Sequence, residues 1–96
     1  MSVDSELERL LEEFDAARRR MDTRLPLIQE ALDELPHATS VRFTNYLGFG
    51  RELPVTDDVR VALGRAALEE RETLVADYQK ARERVMARRQ TLVDLG

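Results

Sequence analysis

The sequence contains no cysteine, no tryptophan, one histidine, three prolines and four glycines. Without cysteine there is no disulfide framework, thiolate zinc site, iron–sulfur cluster or cysteine nucleophile. Lysine is scarce as well, because every basic residue except Lys80 is arginine. Arginine forms multi-donor ion pairs of defined geometry, which suits bridging between helices, although genome base composition accounts for the bias equally well. No apolar run approaches the ~18 residues that a membrane-spanning helix needs. The N-terminus, Met1-Ser2-Val3-Asp4-Ser5-Glu6, is acidic where a signal peptide is basic. The expectation is a soluble cytoplasmic protein with no membrane association, cofactor or metal; export by a signal-free route stays open.

What is present points to helices. Hydrophobic residues make up 43% and charged residues 35% of the 96 positions, a mixture that suits long helices with much solvated surface. The length allows one domain. From Val3 to Leu35 an apolar residue recurs every seventh position: Leu7, Phe14, Met21, Ile28 and Leu35. A companion stripe three or four residues on holds Leu10 and Leu11, Ala17, Leu25, then Ala31 and Leu32. This is a coiled-coil-like pattern. Asp4 or Ser5 can cap the start. Pro26 removes a backbone donor and crowds the Asp22 carbonyl, so a kink is expected there, or a break recapped by Thr23. Leu35-Pro36 ends the helix.

A second helix opens at Thr56, with Asp57 and Asp58 in its first turn. Its seam reads Val59, Leu63, Ala66 or Ala67, Leu74, Tyr78, Ala81, Val85, Leu92 and Leu95, with Glu70 and Arg88 placing charge on it. Polar seam positions set register or partner choice.

The net charge of −4 is the remainder of two opposed blocks. Residues 1–15 hold six acids and one arginine, whereas residues 80–96 hold five bases and two acids. The stretch Arg18, Arg19, Arg20 and Arg24 comes to face Glu69, Glu70, Glu72 and Asp77 if the chain folds back near residue 48. One antiparallel pairing matches both blocks, and each exposed ion pair contributes only ~0.2–1 kcal/mol, so charge selects the arrangement more than it stabilises it. The expected fold is all-α: an antiparallel two-helix hairpin, kinked near Pro26, forming a single domain over 1–96. Its helices span about 4–35 and 57–94, joined by an aromatic and glycine-bearing tip at about 37–55. Two helices alone bury too little, and Leu11, Ile28, Val75 and Met86 widen the seam. A homodimer forming a four-helix bundle is therefore expected.

The connection is the leading functional candidate. Phe43, Tyr46 and Phe49 are three of the five aromatics, and they stand with Leu47, Arg42 and Arg51. Aromatics and arginine dominate binding hot spots. These six residues form the candidate partner-binding tip; the plainer alternative is that the aromatics plug the end of the bundle. Short-range alternation leaves strand and helical turn equally open.

Other constellations are weaker. Glu34 and His37 have the Glu-x-x-His spacing of di-metal helical bundles, with Glu30 or Asp33 as further ligands, but Pro36 lies inside the motif. A solvated histidine at a helix end is the plainer reading. Ser40 follows His37 by three residues without an orienting group or oxyanion site, so a capping or turn role suits it better. Gly48-Phe49-Gly50 lacks the third glycine and flanking elements of a phosphate loop. Arg82, Arg84, Arg88 and Arg89 could track phosphates, which makes a nucleic-acid-associated protein the alternative function, disfavoured by the net negative charge.

The Tyr46-Leu47-Gly48 triplet, midway along a two-helix chain, resembles the Trp-x-Gly turn of small secreted helical-hairpin proteins. Tyrosine stands where that family has tryptophan, the stretch from Phe49 to Val55 is additional, and Arg82 occupies the place where its export signature has an acid. A long hairpin with a strand-like tip is also similar to prefoldin-type chaperone subunits, with no motif matched residue by residue. Neither family is assigned. The function expected from the whole sequence is a non-enzymatic interaction or assembly protein: a coiled-coil adaptor, small chaperone or structural subunit.

Overall fold

A computed structural model describes residues 4–44 and 50–96, with backbone alone at 40–44 and 51–53. Helix α1 spans Ser5–Glu34 and helix α2 spans Asp57–Leu95. A 3₁₀ turn, Leu35–His37, follows α1. Strands β1 (Ser40–Thr44) and β2 (Gly50–Pro54) then form a two-stranded antiparallel ribbon.

Both helix starts are set by side chains. Asp4 is the N-cap of α1, and its Oδ1 accepts from the Leu7 N–H at 2.7 Å. Glu6 and Glu8 add negative charge at the positive end of the helix dipole. Thr56 caps α2, accepting from the Val59 N–H at 3.3 Å. α1 runs unbroken through Pro26, and Thr23 does not recap it. Pro26 and Asp22 are both exposed, so water can satisfy the Asp22 carbonyl that the proline leaves without a donor.

The two helices pack antiparallel along their length. At ~1.5 Å per residue α2 is ~58 Å long, and it sets the long dimension of a molecule of 61 × 28 × 16 Å. The radius of gyration is 19.7 Å, against ~12.5 Å for a compact domain of this length.

The core is one row of small and medium side chains: Leu10, Ala17 and Ile28 of α1, with Ala81 and Val85 of α2 facing the N-terminal half of α1. Phe14 and Tyr78 meet across the seam, with ring centroids 5.3 Å apart. Of the two leucines expected on the companion stripe, Leu10 turns inward and Leu11 outward, and of the alternatives Ala66 and Ala67, Ala67 is half-buried while Ala66 is exposed. Ile28 does not widen the seam; it is the most enclosed residue in it, at 3% exposure. Leu95 leaves the expected seam. It is 79% exposed, because Asp4 already lies level with Arg88 and α2 continues about two turns further.

The ribbon pairs Ser40 with Pro54, Arg42 with Glu52 and Phe43 with Arg51. A further bond from the Val55 N–H to the Thr39 carbonyl, 3.0 Å, extends the ladder to its base. Ser40 therefore opens a strand and caps no helix. Arg60 fastens this end: its guanidinium donates to the carbonyls of Leu35 and of Ala38, the latter at 3.1 Å. The Leu35 carbonyl also accepts the Ala38 N–H at 3.3 Å, which closes the 3₁₀ turn, and a cation suits the negative end of the helix dipole.

Candidate interaction surfaces

The charge blocks meet as the antiparallel pairing requires. Arg88 of α2 grips the N-cap of α1, with Nη2 2.6 Å from Asp4 Oδ2 and Nε 3.3 Å from Oδ1. Its Nη1 lies 3.4 Å from Glu6. The hydrogen bond from Arg88 holds the Asp4 carboxyl below its ordinary value, and the Leu7 N–H adds to the effect. Asp4 in turn raises Arg88. In the middle of the hairpin Arg24 donates to Glu70 Oε1 through Nε at 2.8 Å and Nη2 at 2.7 Å. Both charged seam positions are thus answered across the seam. Arg18 and Arg19 depart from the expected pairing: both turn to Asp15 on their own helix, which lies three and four residues back, within reach on the same face.

The candidate tip residues divide between two situations. Arg42, Phe43 and Arg51 are in the ribbon, with Phe43 and Arg51 directly opposite each other in its register. Tyr46, Leu47 and Phe49 lie outside the described residues. The ribbon brings the two ends of the candidate segment together.

The arginines proposed to track phosphates do not share a face. At ~100° per residue, Arg84 and Arg88 fall on one side of α2 and Arg82 and Arg89 on another. Arg88 is committed to Asp4, and Arg84 lies 3.9 Å from Glu13. Glu34 is the last residue of α1 and His37 the last of the 3₁₀ turn, so the regular helix that would aim both side chains at one ion ends between them. Among the described residues no three acidic or histidine side chains converge on a possible metal position, and no helix is long and apolar enough to cross a membrane.

The structure also exposes apolar side chains that the seam does not use. Val61, Leu68, Met86 and Val93 of α2 are all more than 40% exposed. Val61 and Leu68 bound a shallow depression over Gly64. The seven-residue spacing from Val61 to Leu68 to Val75, and from Met86 to Val93, is visible in the sequence. It is masked there by the stronger inner seam a third of a turn away.

Scanned against protein-family models the chain matches none, and neither the curated proteins nor the solved structures include a significant match.

Proposed function

We propose that this chain is a non-enzymatic assembly protein that works as a homodimer, two hairpins associating into one four-helix assembly. The observation that carries this reading is surface area. The chain exposes 7806 Å², whereas a compact monomer of 11.1 kDa exposes ~5,700 Å². The excess of ~2,100 Å² is more than twice the ~800 Å² that each partner contributes to a standard interface. Among the described residues no side chain is wholly withdrawn from water, so one hairpin supplies little of the burial that ordinarily offsets chain entropy. Sedimentation of the full chain should give twice the monomer mass throughout the micromolar range. A single-chain mass across that range overturns the reading.

The tip supports a second contact in the same assembly protein. An isolated two-stranded ribbon is marginal in water, and the backbone of this one stays more than 8 Å, Cα to Cα, from both helices among the described residues. A partner protein covering residues 41–53 accounts for its persistence. Replacing Phe43, Tyr46 and Phe49 together by alanine should leave the mass of the assembly unchanged; loss of the dimer would assign the tip to self-association instead.

A further inference from the structure

α2 carries a second apolar stripe, on its outer face. Taken at ~100° per residue, Val61, Leu68, Val75, Met86 and Val93 fall within an arc of ~40°. That arc lies ~120° round the helix from the seam residues Leu74, Ala81 and Val85. Val61 and Val93 are 61% and 71% exposed, and Leu68 and Met86 are also open to solvent. α1 has no equivalent among its described residues. Its exposed large apolar residues, Leu11 and Leu27, point ~160° apart.

The shoulders of this stripe differ in sign. Glu72 and Glu83 outnumber Arg65 on one side, and Arg71, Arg82 and Arg89 border the other, by the same helical geometry. All six are exposed, and none joins an ion pair within the chain among the described residues. Two copies of such a helix can meet in two ways. In an antiparallel pair, acidic shoulder meets acidic shoulder and basic meets basic. In a parallel, in-register pair, each acidic shoulder meets the basic shoulder of the other copy, with Glu72 level with Arg71 and Glu83 level with Arg82. Opposite shoulders facing across the seam are what fixes orientation in parallel coiled coils. Gln79 interrupts the stripe between Val75 and Met86. In register it faces its own copy, and an amide, being both donor and acceptor, can bond to another amide.

We infer that the outer face of α2 binds a second copy of this chain in a parallel, two-fold dimer, with α1 of each copy on the outside. This rests on the homodimer reading and specifies its surface. Contact from Val61 to Val93 runs for ~48 Å along the helix, drawing on surface that the chain exposes in excess. Both ribbons then emerge from the same end, so the assembly presents two copies of the candidate tip side by side.

The absence of native cysteine makes the test direct. V61C and V93C, each in the full chain and mildly oxidised, should each cross-link to themselves. A disulfide needs Cα atoms within ~7 Å, which the in-register pair provides. Leu68→Glu should raise the dissociation constant by at least ~100-fold, since one charge enters the interface from each copy. At concentrations where the variant still dimerises, its helicity by circular dichroism should match the wild type's, because Leu68 lies outside the intrachain seam. Cross-linking of V61C only to V93C, in a mixture of the two, would overturn the parallel arrangement. A doubled mass without cross-linking from either variant, or with no effect of Leu68→Glu, would overturn this surface and leave the homodimer standing. A single-chain mass for the wild type would overturn both.

Discussion

Replacing Ile28 by alanine tests whether the thin row of seam residues carries the fold. Ile28 is 3% exposed, the lowest value in the core. The substitution removes three carbons, each contributing ~0.8 kcal/mol when buried, or ~2.4 kcal/mol in all. A cavity term adds to this, limited because two helices can close on a gap more freely than an enclosed core. The expected loss is ~2.5–3.5 kcal/mol, a large part of the 5–15 kcal/mol typical of a whole domain. With a urea slope of ~1–1.5 kcal/mol per molar for a chain this small, the midpoint should fall by ~2 M. Unfolding followed by circular dichroism, with both proteins at one concentration, measures it. Leu95→Ala is the control: it sits on the heptad line of α2 but is 79% exposed, and its midpoint should move by no more than ~0.5 kcal/mol equivalent. Equal effects at the two positions, or a loss below ~0.5 kcal/mol at Ile28, would refute the packing described here.

Asp4→Asn keeps a capping side chain and removes the charge facing Arg88. Because the folded carboxyl of Asp4 is held below its ordinary value, the unfolded chain takes up the proton first. The pair's contribution is complete above the ordinary carboxylate range and is lost as pH falls through the lower folded value. The stability difference between wild type and variant should therefore shrink on acidification from about pH 6 to about pH 2, and a difference that stays constant would mean the pair does not form in solution. Arg60→Met removes the side-chain donor to the Ala38 carbonyl and one of the two donors to the Leu35 carbonyl. It should cost ~1–2 kcal/mol and speed hydrogen exchange at the Val55 amide, which bonds Thr39 at the ribbon base; unchanged exchange would separate Arg60 from the ribbon. Gly64→Ala should stabilise α2 by ~0.5–1 kcal/mol, since the added Cβ would sit 3.4 Å from Leu35 Cδ2, an ordinary contact. Destabilisation would show that the helices need the glycine for close approach.

The hairpin was legible because two signals agreed: heptad spacing located both seams, and opposed charge blocks set their direction. Asp4 and Thr56 were readable as caps because a cap is local chemistry. Pro26 was harder. Whether a proline breaks a helix depends on which side it faces, and an exposed position lets solvent do what a donor would have done. Leu95 kept the heptad pattern past the point where α1 has anything to place against it, which no single-helix pattern records. Arg18 and Arg19 had acids available both across the seam and on their own helix, and the nearer Asp15 took them. The ribbon was ambiguous because a few alternating residues carry no period long enough to separate strand from turn. The outer stripe of α2 went unread because its residues are interleaved with a denser inner one.

Arg60 and Arg88 hold opposite ends of α1 from one continuous helix. Four heptads separate them, ~42 Å of rigid rod. α2 thereby acts as a ruler for α1: one arginine marks where the shorter helix starts and the other where it stops. Length in such a molecule is quantised. Removing a heptad from both helices between these marks leaves each arginine opposite its own terminus, and yields a shorter hairpin with the same ends. Removing it from one helix alone moves a terminus ~10 Å off its mark, beyond the reach of any side chain, so α1 and α2 can change length only together.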